Sequence, residues 1–216
     1  MSLATELDAK FAEFHATAPA ELTGPVKKSI GEFIASYNLD GAIKVGDKLP
    51  EFRLEGASGD TVDSKELLAH GPILVTFYRG NWCPYCNITL RTYQQHLDAF
   101  KAKGVTFVAI SPELPDQTLT MTEKNELKFL VLTDVGNKFA KKLGILWAQP
   151  DYMRPVFATL DVDLKARNGD DSYAVPLPAF LLVDKSGIVR NTFIDPNFTH
   201  RLEPTTALEW INALDN

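Results

Sequence analysis

Phe77-Tyr78-Arg79-Gly80-Asn81-Trp82-Cys83-Pro84-Tyr85-Cys86 holds both cysteines of the chain. The run that leads into it, Ile73-Leu74-Val75-Thr76-Phe77-Tyr78, reads as a central strand covered on both faces. Beyond it, Cys86, Leu90, Tyr93, Leu97 and Phe100 recur in steps of four, three, four and three. That spacing predicts an amphipathic helix, opened by Pro84 at its first position and stopped by Gly104. The C-x-x-C pair therefore sits where a strand turns into a helix. Orphan N–H groups and about half a positive charge at a helix N-terminus favour a thiolate there. Such surroundings lower a cysteine pKa from about 8.5 to between roughly 3.5 and 7.5. Arg79, just upstream, is a candidate source of further positive charge. With i, i+3 spacing on one helix face, Cys83 and Cys86 are close enough to form a disulfide. By this reading Cys83 sits at the exposed mouth and Cys86 one turn further in.

Other readings of the pair are weak. A disulfide between Cys83 and Cys86 closes so short a loop that it constrains the unfolded chain little. A zinc site needs about four ligands, and the chain has no second cysteine pair; His15, His70, His96 and His200 are scattered. No metal and no prosthetic group is expected, because the thiols carry the redox chemistry themselves.

Outward from the motif, Val105–Ile110 is a second strand, giving a β–α–β unit with parallel strands and a right-handed crossover. Helices near 115–127 and 136–143 flank a short strand at 129–132. Residues 179–183 and 188–194 read as an antiparallel hairpin around Asp184-Lys185-Ser186-Gly187, and a last helix runs from about Pro204 to Leu214. Short strands near 52–54 and 61–62 precede the motif. Leu3, Leu7, Phe11 and Phe14 predict a helix that Pro19 ends, and a second helix is expected over 25–37. Residues 1–43 are thus a helical extension and 44–216 the main domain. Within the latter, residues 144–177 form an insertion, expected to fold as an extra helix ending near Asn168-Gly169. The insertion packs on the sheet, joins a second subunit, or acts as a lid over the site.

Composition narrows the function. The 216 residues suit one domain with an appendage. A net charge of −6 argues against nucleic-acid or anionic-membrane partners. No apolar run approaches the roughly 18 residues of a membrane span, and no basic, apolar leader opens the chain. Two cysteines in a single motif fit a reducing compartment, so a cytoplasmic protein is expected.

The order of elements, the Val45–Phe52 lead-in and the Trp82-Cys83-Pro84-Tyr85-Cys86 motif resemble the thioredoxin superfamily. Within it, the chain is most similar to peroxiredoxin-like proteins of the alkyl hydroperoxide reductase and thiol-specific antioxidant (AhpC/TSA) family, over about residues 44–214. The resemblance implies an α/β, thioredoxin-like fold, with a central mixed sheet flanked by helices. It implies a peroxide substrate, a thioredoxin- or glutathione-type reductant and a homodimer. The apolar helices of residues 1–40 are the first candidate for the dimer contact, and their removal is expected to leave a soluble monomer with its core intact.

Laid on the family pattern P-x-x-x-[TS]-x-x-C, the peroxidatic position falls on Cys86, with Cys83 resolving. Cys83 then stands at the threonine position, Arg79 at the proline position, and Pro178 where the family carries an arginine. Arg79 and Arg154 are the candidates to replace that arginine. Thioredoxin-like oxidoreductases place a cis-proline before the strand facing their motif, and Pro178 is expected to be that residue. Trp82 resembles the tryptophan before the first thioredoxin cysteine, and Pro84-Tyr85 the dipeptide of glutaredoxins. Two further readings remain open: a protein disulfide oxidoreductase in which Cys83 attacks, and a non-enzymatic redox-sensing module.

Overall fold

The computed structural model describes residues 1–214. Its elements run α1 (Leu3–Thr17), α2 (Ala20–Ser36), β1 (Arg53–Gly56), β2 (Thr61–Asp63), α3 (Ser64–His70), β3 (Ile73–Phe77), α4 (Pro84–Ala102), β4 (Thr106–Ser111), α5 (Pro115–Lys124), β5 (Leu130–Thr133) and α6 (Lys138–Lys142). They continue as β6 (Leu146–Ala148), α7 (Arg154–Thr159), α8 (Leu164–Asn168), β7 (Ala174–Pro176), β8 (Ala179–Val183), β9 (Val189–Ile194) and α9 (Pro204–Asn212). Seven strands form one mixed sheet in the order β2-β1-β5-β4-β3-β8-β9. Every residue of β3 is buried, as a strand at the middle of a covered sheet must be. β3 pairs parallel with β4 on one side and antiparallel with β8 on the other, so the expected crossover and hairpin both form. α4 begins at Pro84, with Cys83 as its N-cap, and the chain leaves it through Gly104 at φ +70.

Three expectations need correction. α2 begins at Ala20, earlier than expected, and carries Pro25 inside it. Pro25 is the sixth residue of the helix, past the donors that lack partners, so α2 forgoes one i→i−4 hydrogen bond there. The insertion is not one helix. Pro150 and Pro155 break the helical pattern, and Trp147 instead pairs with Val175 in a β6–β7 hairpin that encloses two short helices. α8 does end at Asn168, with Gly169 in the left-handed region at φ +74. Finally, no peptide bond among the described residues is cis, so the bond before Pro178 is trans. The Leu177 N–H, between β7 and β8, donates to the Ile145 carbonyl at 2.7 Å. The ordinary preference of X–Pro bonds for trans then holds.

The apolar stripes of the N-terminal helices, expected to pack on the main domain or on a second subunit, contribute to the main core. Leu3 and Leu7 are each 1% exposed and belong to the same core as β3 and α4. The Glu203 carboxylate, just before α9, accepts from the Leu3 and Ala4 N–H groups at 3.1 and 2.8 Å and caps α1. Leu3 and Leu7 are therefore covered within one chain, while Phe11, Phe14, Val26 and Phe33 are half-buried. Removing residues 1–40 is expected to expose the core rather than release an intact domain. Leu7→Ala alone is expected to cost about 2–5 kcal/mol, read by chemical denaturation. A change below about 0.5 kcal/mol would mean that α1 is only loosely attached.

Candidate active site

The strand–helix junction brings two sulfurs and two guanidinium groups together in a buried space. Cys83 is 0% and Cys86 1% exposed, which corrects the expectation that Cys83 is the accessible thiol. The segment before α4 folds over Cys83, and Phe198, from the loop after β9, stacks on the Arg79 guanidinium at 3.7 Å. The two sulfurs lie 2.8 Å apart, with the Cys86 thiol as donor, and the Cys86 N–H points at Cys83 Sγ at 3.4 Å. Arg79, whose orientation the sequence left open, donates from Nη2 to Cys83 Sγ at 3.2 Å.

The second guanidinium was not anticipated. Arg201, 7% exposed, places Nη2 3.9 Å from Cys86 Sγ. Its Nη1 donates to the Phe198 and His200 carbonyls, which anchor the loop against the site. Arg154, the other candidate named from the sequence, is on the surface, paired with Asp151 and Asp171 and lying over Tyr173.

These neighbours separate the two thiols. Burial raises the pKa of Cys83, but the Cys86 thiol, Arg79 and Arg201 more than offset it and hold Cys83 well below the ordinary thiol value. Burial also raises Cys86, and its hydrogen bond to Cys83 together with the Cys83 charge pushes it further up. These contacts favour negative charge on Cys83 over Cys86.

Several residues fix this geometry. Pro84 supplies the first turn of α4 without an N–H. Tyr85, 6% exposed, meets the Phe198 ring edge-on at 5.4 Å; burial, then the Cys83 charge, pushes its phenol up to about 12. Trp82 lies edge-on to Phe157 of the insertion at 5.5 Å, with the Arg79 guanidinium 4.9 Å from its ring centre. Pro178 is buried at the start of β8, the strand beside β3. Asn87, unmarked in the sequence reading, donates from Nδ2 to the Asn81 and Cys83 carbonyls at 2.7 and 2.9 Å and pins the turn.

Glu113 was also missed. It follows β4, and the carboxyl ends of parallel strands are where sites gather in such sheets, a signal that would have found it. Its Oε2 accepts from the Asn81 N–H at 2.6 Å, and its Oε1 lies 3.5 Å from Nη1 of Arg167 in α8. Gly80, at φ +144, makes room for this: a Cβ there would stand 2.5 Å from Trp82 Nε1 and 2.8 Å from the Glu113 carboxyl carbon. Burial pushes the Glu113 carboxyl up to about 7, against the pull of Asn81 and Arg167. A carboxyl raised in the folded state adds stability below its unfolded value, near 4.3, and loses it as pH rises through about 7. Glu113→Gln is therefore expected to be more destabilising at pH 5 than at pH 8, in denaturation curves taken at both. Equal effects at the two values would mean that the carboxyl ionises normally.

The chain is similar to known proteins of one family. The AhpC/TSA family model matches residues 45–192. A putative peroxiredoxin bcp from Buchnera aphidicola subsp. Schizaphis graminum is 32% identical over 111 residues, which are 51% of this chain and 69% of that protein. Peroxiredoxin Bcp from Escherichia coli (strain K12) is 27% identical over 111 residues, 51% of this chain and 70% of that protein. Among solved structures, peroxidoxin BcpB from Mycobacterium tuberculosis matches with a TM-score of 0.61 at 17% identity, over 80% of this chain and 98% of that one. The reduced 2-Cys peroxiredoxin of Plasmodium vivax matches with a TM-score of 0.63 at 21% identity, over 80% and 82%. Both structural likenesses speak to the fold, which is thioredoxin-like.

Proposed function

The chain belongs to the AhpC/TSA family, and from that premise we propose that it is a thiol peroxidase in which the Cys83 thiolate attacks the peroxide and Cys86 resolves the product. The observation that carries the order is the convergence of Arg79, the Cys86 N–H and the Cys86 thiol on Cys83 Sγ. This is the reverse of the order that the family correspondence suggests. The Cys83 thiolate attacks one peroxide oxygen: an S–O bond forms, the O–O bond breaks, and the leaving oxygen takes a proton to depart as alcohol or water. Cys86, as thiolate, then attacks the sulfenic sulfur; the S–S bond forms and hydroxide leaves, protonated to water. Two electrons and two protons from a thioredoxin- or glutathione-type donor restore the dithiol.

Because both sulfurs are buried, a protein disulfide reaches neither without opening of the motif, which disfavours the disulfide-oxidoreductase reading. Purified protein is expected to lose both thiols on adding peroxide and to turn over peroxide when a reductant is supplied. Insulin-disulfide reduction without peroxide consumption would replace the proposal with the oxidoreductase, and neither activity would favour the redox sensor.

No helix among the described residues is long and apolar enough to cross a membrane. A cycle that depends on a thiol donor suits the cytoplasm, and we propose that compartment. A homodimer is proposed from the family resemblance, with analytical ultracentrifugation as its test.

A further inference from the structure

Arg201 reaches the site from a loop that the helix carrying Cys86 itself holds in place. Tyr93 lies about two turns after Cys86 on the same face of α4, and its side chain is fully buried. Its hydroxyl donates to the Leu202 carbonyl at 2.9 Å, one residue beyond Arg201. The Nη1 group of Arg201 is spent on the Phe198 and His200 carbonyls of its own loop. That leaves Nη2, which donates toward Cys86 Sγ across 3.9 Å. Arg201 is 7% exposed, and among the described residues no carboxylate pairs with it. A buried charge is normally paired, so the sulfurs are the groups this guanidinium can serve. Its charge also reaches Cys83, but the guanidinium that donates there is Arg79, at 3.2 Å. Each sulfur thus has its own guanidinium.

Arg201 matters for the second step of the cycle. In the reduced pair the Cys86 thiol donates to Cys83 Sγ at 2.8 Å, and charge on Cys83 keeps that proton in place. Once Cys83 is a sulfenic acid it presents no such charge, and burial is what still opposes ionisation of Cys86. The attacking species is a thiolate, not a thiol. A cation held within reach of the sulfur offsets the cost of burial and gives Cys86 its nucleophilic form.

Resting on the peroxidase reading above, we propose that Arg201 is a further catalytic residue, the one that serves the resolving sulfur while the disulfide closes. The step balances within the pair. Cys86 gives up its proton to the departing hydroxyl of the Cys83 sulfenic acid and attacks the Cys83 sulfur. The S–S bond forms, the S–O bond breaks and water leaves; Cys86 is oxidised by one electron and Cys83 reduced by one.

Rapid mixing of the reduced full chain with hydrogen peroxide separates the steps. Attack is read as loss of peroxide, and closure as loss of the second thiol with formation of the disulfide. Arg201→Met is expected to lower the rate of closure relative to attack by about 10-fold or more, the factor that one unit of thiol pKa carries. The stalled sulfenic acid is then open to a second peroxide, so sulfinic acid should accumulate at Cys83 when peroxide is in excess. Arg201→Lys keeps the charge and should restore most of the ratio. The groups that face Cys86 are Cys83, Arg201, and Tyr78 and Arg79 just after β3; burial pushes the Tyr78 phenol up, so it stays neutral. Raising the pH should therefore bring closure in Arg201→Met toward the wild-type rate, which a structural defect would not do. If that variant does not fold, closure in the wild type decides. Its rate should reach half its plateau below the free-thiol value, near pH 8.5, and a midpoint at or above that value overturns the proposal. A ratio unmoved in folded Arg201→Met overturns it too, as does attack slowed more than closure, the pattern expected were Cys86 the attacking sulfur; both leave the peroxidase reading intact. No loss of peroxide in the wild type overturns both.

Discussion

Cys83→Ser is expected to lose peroxide turnover by at least about 10³-fold, the scale on which loss of a nucleophile is felt. Cys86→Ser should behave differently, still consuming one equivalent of peroxide and stopping with a sulfenic acid on Cys83. The reasoning rests on charge. The thiolate is the nucleophile, and Cys83 carries the negative charge because Arg79 and the Cys86 N–H meet it at 3.2 and 3.4 Å. Burial and the neighbouring Cys83 push the Cys86 thiol up, and it gains nucleophilic character once Cys83 is oxidised and no longer presents a charge to it. Serine at 86 retains a donor to Cys83, so the first step should survive the substitution. A sulfenic-acid trap followed by peptide mass spectrometry reads the site directly. Trapping at Cys86 in Cys83→Ser, at the wild-type rate, would restore the order implied by the family pattern.

Arg79→Met is expected to have the next largest effect, on the pH at which Cys83 ionises. Arg79 is 5% exposed, and among the described residues no carboxylate pairs with it, so the sulfur is its counter-charge. Without the guanidinium, burial dominates, and the Cys83 midpoint should move up toward or beyond the free-thiol value near 8.5. In a Cys86→Ser background, iodoacetamide labelling at pH 6 should slow by about 10-fold or more, with little change at pH 10. The linked effect on stability has a definite sign. A thiol depressed in the folded state adds stability above its unfolded value, near 8.5, and loses it as pH falls through the folded midpoint. The reduced wild type should therefore weaken on acidification more than Arg79→Met does. Identical labelling profiles in the two proteins would remove Arg79 from the site's electrostatics and leave the helix terminus and Arg201 to account for the thiolate.

Local pattern and tertiary placement contributed unequally to these conclusions. The apolar run of β3, the four-three periodicity of α4 and the Asp184–Gly187 turn of the last hairpin were legible because each is a short-range signal. The insertion was misread because its apolar residues come from two strands and two short helices, so no single period describes them. Arg201 carries no local mark. It lies 115 residues from Cys86 and reaches it only because the loop after β9 folds back across the mouth of the site. Arg154, which looked equally available, is held outward by two carboxylates.

By itself the sequence determined that a dithiol would sit where a strand becomes a helix in a thioredoxin-like sheet. Two residues three apart at a helix start are neighbours in any context, and periodicity survives whatever packs around it. Which sulfur bears the charge, how deeply both are buried and which guanidinium meets each were decided only by tertiary structure. Those properties depend on distances between groups contributed by α4, the turn before it and the loop before α9. Electrostatic and desolvation energies change over a few ångströms, a scale that sequence spacing does not encode.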